Sequence, residues 1–145
     1  MALHLTRWAG DLGFDPILIE PREERITPAH RTAARVEPGL EGLDLTEDTS
    51  TVHTDHDAPD LVQALEAVLP RNPRFIGLVG SRRHTGHHLE ALRAKGVADD
   101  VIARIQSPVG LDLGAVRPDE IALSILAGLV AHRRGRAGGW LQNRA

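Results

Sequence analysis

The stretch Arg74-Phe75-Ile76-Gly77-Leu78-Val79-Gly80-Ser81-Arg82-Arg83 decides the fold. Its apolar run is short, is entered through the breaker Pro70-Arg71-Asn72-Pro73 and is left through Gly80, so Arg74 to Val79 reads as a buried strand. A helix follows from about His84 to Lys95, buries Leu89 and Leu92, and stops at Gly96. Between the two, backbone N–H groups, the Ser81 hydroxyl and two guanidinium groups can converge on one anion. The same spelling also serves a plain helix start, with Ser81 as its cap and the arginines solvated or paired with nearby acids.

Working outward, Asp99 or Asp100 opens a shorter helix carrying Val101, Ile102 and Ile105, which Ser107-Pro108 ends. Pro118, Asp119 and Glu120 start a last helix lined by Ile121, Ile125 and Leu129 and by Ala122, Leu126 and Val130. Residues 136–145 read as a flexible tail. Upstream, Asp57 is placed to cap a helix with the stripe Leu61, Val62, Leu65, Val68 and Leu69, and Thr51 to Thr54 spells a stunted strand. Met1 to Leu12 has helical spacing and Gly13 suits its C-terminal end; Phe14 to Glu20 then reads as a strand ending in an acid. Pro21 to Thr51 shows only faint periodicity and reads as mostly loop. Alternating strands and helices predict an α/β fold, a Rossmann-like parallel sheet flanked by helices, in one domain over residues 1–135. The first strand and glycine-rich turn of such a fold are expected to be absent, because they would fall at or ahead of Met1.

Composition narrows the function. Apolar residues make up 41% and aromatics 3%, with no Tyr, so the core must be aliphatic. A net charge of −3 supplies no global field for nucleic acid or an anionic membrane, so an anion site must be local. The lack of Cys excludes disulfides and thiolate metal sites and points to the cytoplasm; no apolar run approaches the ~18 residues of a spanning helix.

In an open parallel sheet, ligands bind outside the carboxyl ends of the strands, where Glu20, Thr54 to Asp57 (with Asp55 and His56) and Gly80 to Arg83 all fall. Glu20 stands where dinucleotide folds place a ribose acceptor. Asp112, in Gly110-Leu111-Asp112-Leu113-Gly114, reads either as a ligand contact or as a turn residue bonding local N–H groups. His53, His56, His84, His87 and His88 raise a metal site, but no metal-site spacing is complete and Arg82 and Arg83 would oppose a cation, so none is assigned.

RFIGLVGSRR, HLEALRAKGV, IARIQSPVGLDLGA and RPDEIALSILAGLVAHRRG, in this order between Arg74 and Gly135, resemble the C-terminal Rossmann-type domain of the XdhC/CoxI family, the accessory proteins of xanthine dehydrogenase and carbon monoxide dehydrogenase. Ala2 to Arg22 resembles the family's first crossover and second strand. The resemblance implies a carrier and assembly factor rather than a catalyst. It would bind molybdenum cofactor, as a mononucleotide or dinucleotide, guard it during sulfuration and help insert it into a molybdenum hydroxylase apoenzyme. The implied partners are that apoenzyme and a cofactor-sulfurating enzyme, with no nucleic acid and no membrane. Arg117 stands where the family commonly has a Thr cap, a loss of about 1 kcal/mol for that helix. Without the glycine turn NAD(P) is not expected as cofactor; the alternatives are an NAD(P)-binding oxidoreductase-like domain, which the missing turn disfavours, and a degenerate domain with only a dimerisation or docking role. A sheet lacking one strand leaves an open edge or an exposed apolar face, so a homodimer is expected.

Overall fold

The computed structural model describes residues 1–144 and contains two units, Met1–Leu43 with Gly110–Ala145, and Asp44–Val109. In the first unit, α1 (Ala2–Asp11) leads into β1 (Ile17–Ile19), which is shorter than the expected strand because Pro16, just ahead of it, has no N–H to give a ladder. The segment Pro21 to Thr51, expected to be mostly loop, is more ordered than that. It holds a 3-10 turn (Glu23–Arg25), α2 (Pro28–Ala33) and β2 (Arg35–Glu37), and its last two residues already belong to the next strand. The start of α2 is built locally: Pro28 takes the first helical position, and the Thr27 N–H donates to Nδ1 of His30 at 3.1 Å. β2 exists through its partner. It pairs parallel with β1, Leu18 opposite Val36, and Val36 is its one apolar residue.

α6 (Pro118–Arg133) packs on α1, with Ala122, Ile125, Leu126 and Leu129 buried as the helical stripe predicts. The cap lost at Arg117 is supplied from inside the helix. Oε2 of Glu120 accepts the N–H groups of Val116 and Arg117, each at 3.0 Å, while Arg117 itself forks onto Asp119. These contacts, led by the two backbone bonds, hold the Glu120 carboxyl below its ordinary range.

The second unit runs β3 (Ser50–His53), α3 (Leu61–Val68), β4 (Phe75–Leu78), α4 (Arg82–Ala94), α5 (Asp99–Ile102) and β5 (Ile105–Gln106). Its sheet is parallel in the order β3-β4-β5, with His53 opposite Leu78 and Gly77 opposite Gln106. Ile105 belongs to β5, not to the preceding helix as the sequence suggested. α3 is entered at Asp60, three residues later than the expected cap Asp57. All four residues of β4 are buried, and Leu65, Ile76, Leu78 and Leu92 close the core from α3, β4 and α4. Gly77 is required in the middle of this strand: a Cβ there would lie 2.5 Å from Cγ2 of Val109, which packs against the bare backbone. The expected α/β architecture, parallel strands with flanking helices, is therefore present. Among the described residues no helix is long and apolar enough to cross a membrane.

Candidate functional site

The turn from β4 into α4 is fixed by small groups before any ligand is considered. Gly80 has φ +132°, and a Cβ on it would meet Cγ2 of Thr85 at 3.0 Å and the His56 ring at 3.2 Å, so only glycine lets these side chains close around the backbone. Ser81 is the N-cap of α4; its hydroxyl accepts the His84 N–H at 3.4 Å and lies 2.9 Å from the His84 ring Nδ1. Thr85, fully buried one helical turn on, donates to the Ser81 carbonyl at 3.1 Å and accepts from the Ser107 hydroxyl at 2.7 Å. Ser107 thereby ties the segment after β5 to the segment after β4.

Arg82 and Arg83 stand exposed in the first turn of α4. The alternative that they are structural ion-pair partners finds no support, because no salt bridge or side-chain hydrogen bond among the described residues involves either guanidinium. Ser81 does cap the helix, as the plain reading required, so the capping and anion readings coexist at this turn.

The loop after β3 meets this turn. The His56 and His84 rings stack with centroids 5.2 Å apart, and the Nε2–H of buried His88 donates to the His56 carbonyl at 2.7 Å. That contact fixes which His88 nitrogen carries its proton. Asp55 accepts the Asp57 N–H in the same loop, turning the chain before α3. Gly80, Ser81, Arg82, Arg83, Asp55 and His56 thus belong to one strand-end region, as expected. With His84 Nδ1 against Ser81 and His88 Nε2 on a carbonyl, the pair one helical turn apart is engaged otherwise than as metal ligands. Among the described residues no group of three or more His, Asp or Glu is placed to hold a metal ion.

His53, at the end of β3, was not singled out beyond the histidine group. Its Nε2 is buried without a hydrogen-bond partner among the described residues, and desolvation pushes its pKa down to about 4. Thr85 was not read, although its spacing of one helical turn from Ser81 was the available signal, and Ser107 was read only as the end of a helix, since nothing local marks it as a partner of this turn.

Glu20 and Asp112 belong to the other unit. Burial disfavours the Glu20 carboxylate, but the hydrogen bonds from the Arg22 side chain (2.7 and 3.2 Å) and N–H (3.0 Å) and the charges of Arg22 and Arg25 outweigh it, leaving the pKa lowered. Its oxygens are already occupied, which differs from a free ribose acceptor. Asp112 is exposed and makes no hydrogen bond among the described residues, so the turn-closing role is not seen.

Comparison with known proteins bears on the family and the fold. The profile of the XdhC Rossmann domain matches residues 1–129, across both units. The chain is 33% identical over 142 residues to the uncharacterized protein YqeB of Escherichia coli K12, an alignment covering 93% of the chain and 26% of that protein. It superposes on a structure described as a xanthine dehydrogenase from Bacillus halodurans with a TM-score of 0.78 and 25% identity, over 93% of this chain and 40% of the other. The chain therefore spans about a quarter of the curated relative's length. By its Rossmann domain, the chain belongs to the XdhC family.

Proposed function

We propose that the chain binds the phosphate-bearing end of a molybdenum cofactor at the β4–α4 turn and acts in the maturation and insertion of that cofactor into a molybdenum hydroxylase of the xanthine or carbon monoxide dehydrogenase type. The reading rests on one observation. Two arginines without ion-pair partners stand at the N-terminus of a 13-residue helix, on a turn already held by Ser81, Thr85 and Gly80. Unpaired guanidinium groups beside free helix N–H donors suit a phosphate monoester or diphosphate. Family membership supports the molybdenum part, and the described residues fit the phosphate end without supplying metal ligands. The bound group supplies the molybdenum–pterin chemistry; this chain's residues grip its anionic end and orient it. His56 and His84 form one wall of the turn and can donate further hydrogen bonds. The natural partners on this reading are the apoenzyme and the sulfurating enzyme, in the cytoplasm, and the role is that of a carrier.

Charge-assisted hydrogen bonds contribute roughly 1.5–3 kcal/mol each. Replacing Arg82 and Arg83 together with Ala is therefore expected to weaken retention of cofactor released from a molybdenum hydroxylase by about two to four powers of ten. Urea unfolding of the same double variant should match the parent. Unchanged retention removes the basis of the proposal, and a loss of stability equal to the loss of binding makes the arginines structural.

A further inference from the structure

Two helices of the chain begin on the same local device, and they differ in what a proton does to it. At α2, Thr27 Oγ1 lies 2.9 Å from Nδ1 of His30, and at α4, Ser81 Oγ lies 2.9 Å from Nδ1 of His84 at the same sequence spacing. The Thr27 N–H also donates to His30 Nδ1 at 3.1 Å, so that nitrogen must be bare and a proton on it breaks the cap. The Ser81 N–H makes no such bond among the described residues. Exposed His84 can therefore take a second proton without dismantling the start of its helix.

That proton decides where the Ser81 hydroxyl points. While the ring is neutral with its hydrogen on Nε2, the bare Nδ1 accepts the one hydrogen that Ser81 Oγ can donate. Once Nδ1 is protonated it donates to Oγ instead, and the hydroxyl hydrogen turns away from the ring. An anion at the turn uses that hydrogen and is attracted by the added charge. We infer that His84 joins Arg82 and Arg83 as a third cationic ligand of the β4–α4 turn, so that anion binding takes up a proton from solvent; the inference rests on that turn being the phosphate site proposed above. The groups around the ring limit the uptake. The His56 ring stacks on His84 with centroids 5.2 Å apart, an arrangement that accepts one charged ring and resists two, so the pair titrates together. Arg82, Arg83 and the N-terminal end of α4 oppose a charge on His84 until an anion offsets them. From the loop after β3, the exposed Asp57 carboxylate stands 3.6 Å from His56 Nε2 and is a weak, screened partner, while Asp55 accepts the Asp57 N–H. His88 donates to the His56 carbonyl, with His87 stacked beside it, and His53 is buried at the end of β3. Proton and anion thus arrive together, each tightening the binding of the other.

Sulfate is the probe, because it carries two negative charges and does not change protonation across the histidine range. Its binding to the full chain is read from ring and amide shifts in NMR spectra. Affinity is expected to be about tenfold higher near pH 6 than near pH 8, gained as pH falls and lost as pH rises through the range in which imidazole titrates. His84→Gln keeps the spacing of a Ser-x-x-Gln capping box and cannot titrate, so it should remove most of that difference, whereas His30→Gln should leave it in place. If His84→Gln fails to fold, the parent decides alone: sulfate near pH 7 should move the His84 ring toward its protonated shift and leave His30 unmoved. Sulfate that binds the parent equally at both pH values overturns the inference, as does a pH dependence that survives His84→Gln or a His84 ring indifferent to sulfate. Failure of the underlying reading looks different: sulfate then does not bind at either pH, or binds the Arg82→Ala, Arg83→Ala double variant as it binds the parent, and the inference falls with it.

Discussion

The two units spend their apolar residues differently. In residues 44–109, β4 is buried along its whole length and the aliphatic side chains of α3, α4 and β5 close over it. In the other unit the sheet has two strands, Ile17 and Ile19 on one side of β1 are 38% and 37% exposed, and Trp140 and Leu141 face solvent. Ten of the fifteen buried core hydrophobics of the described residues lie in the three-stranded unit, which places the stiffness of the chain there and its unsatisfied surface elsewhere. The candidate anion turn sits on the stiff unit and an uncovered apolar groove between α1 and α6 on the other. Holding a charged group demands fixed donors, whereas association draws on apolar area that folding has left uncovered.

The sharpest way to break this contrast is to cut the core of the stiff unit. Leu65 is fully buried, and Leu65→Ala should cost about 4 kcal/mol in urea unfolding. A loss below about 1 kcal/mol would mean that the unit tolerates a cavity and is not the rigid half.

Next in size is the pH dependence from His53, whose pKa falls to about 4 on folding from an ordinary 6.5. Between those values the unfolded chain binds a proton that the folded chain refuses, so stability is complete above pH 6.5 and declines as pH falls toward 4. The total is at most about 3 kcal/mol. His53→Leu should flatten that part of the profile in unfolding measured from pH 7 to pH 4; an unaltered slope would assign it to other groups.

The smallest effect is expected on the open side of β1. Ile19→Ser should cost on the order of 1 kcal/mol, because only about a third of the residue is in water. A loss several times larger would show that β1 is covered in solution and would narrow the difference between the units.

What could be read in the sequence follows the same division. β4, α4 and α6 were legible because each carries its own signal, an aliphatic run closed by Pro and Gly or a helical stripe opened by Pro118. β2 was not, since Arg35-Val36-Glu37 holds one apolar residue and becomes a strand only by pairing with β1. β5 is two residues long for the same reason. At the site, Gly80 to Arg83 could be named because strand, turn and helix are contiguous. The stacking of His56 on His84 and the His88 bond to the His56 carbonyl join segments about thirty residues apart, which no local pattern encodes.

The hydroxyl chain from Ser107 through Thr85 to the Ser81 carbonyl has a kinetic consequence. A turn clamped from behind by two buried-side hydrogen bonds has little ordering left to do when an anion arrives, so capture is not slowed by a search for the competent backbone shape. If the turn holds an anion as proposed, discrimination between anions falls on how long each one stays. A monophosphate and a diphosphate would meet the turn at similar rates and differ in residence time, with the two arginines acting on the exit.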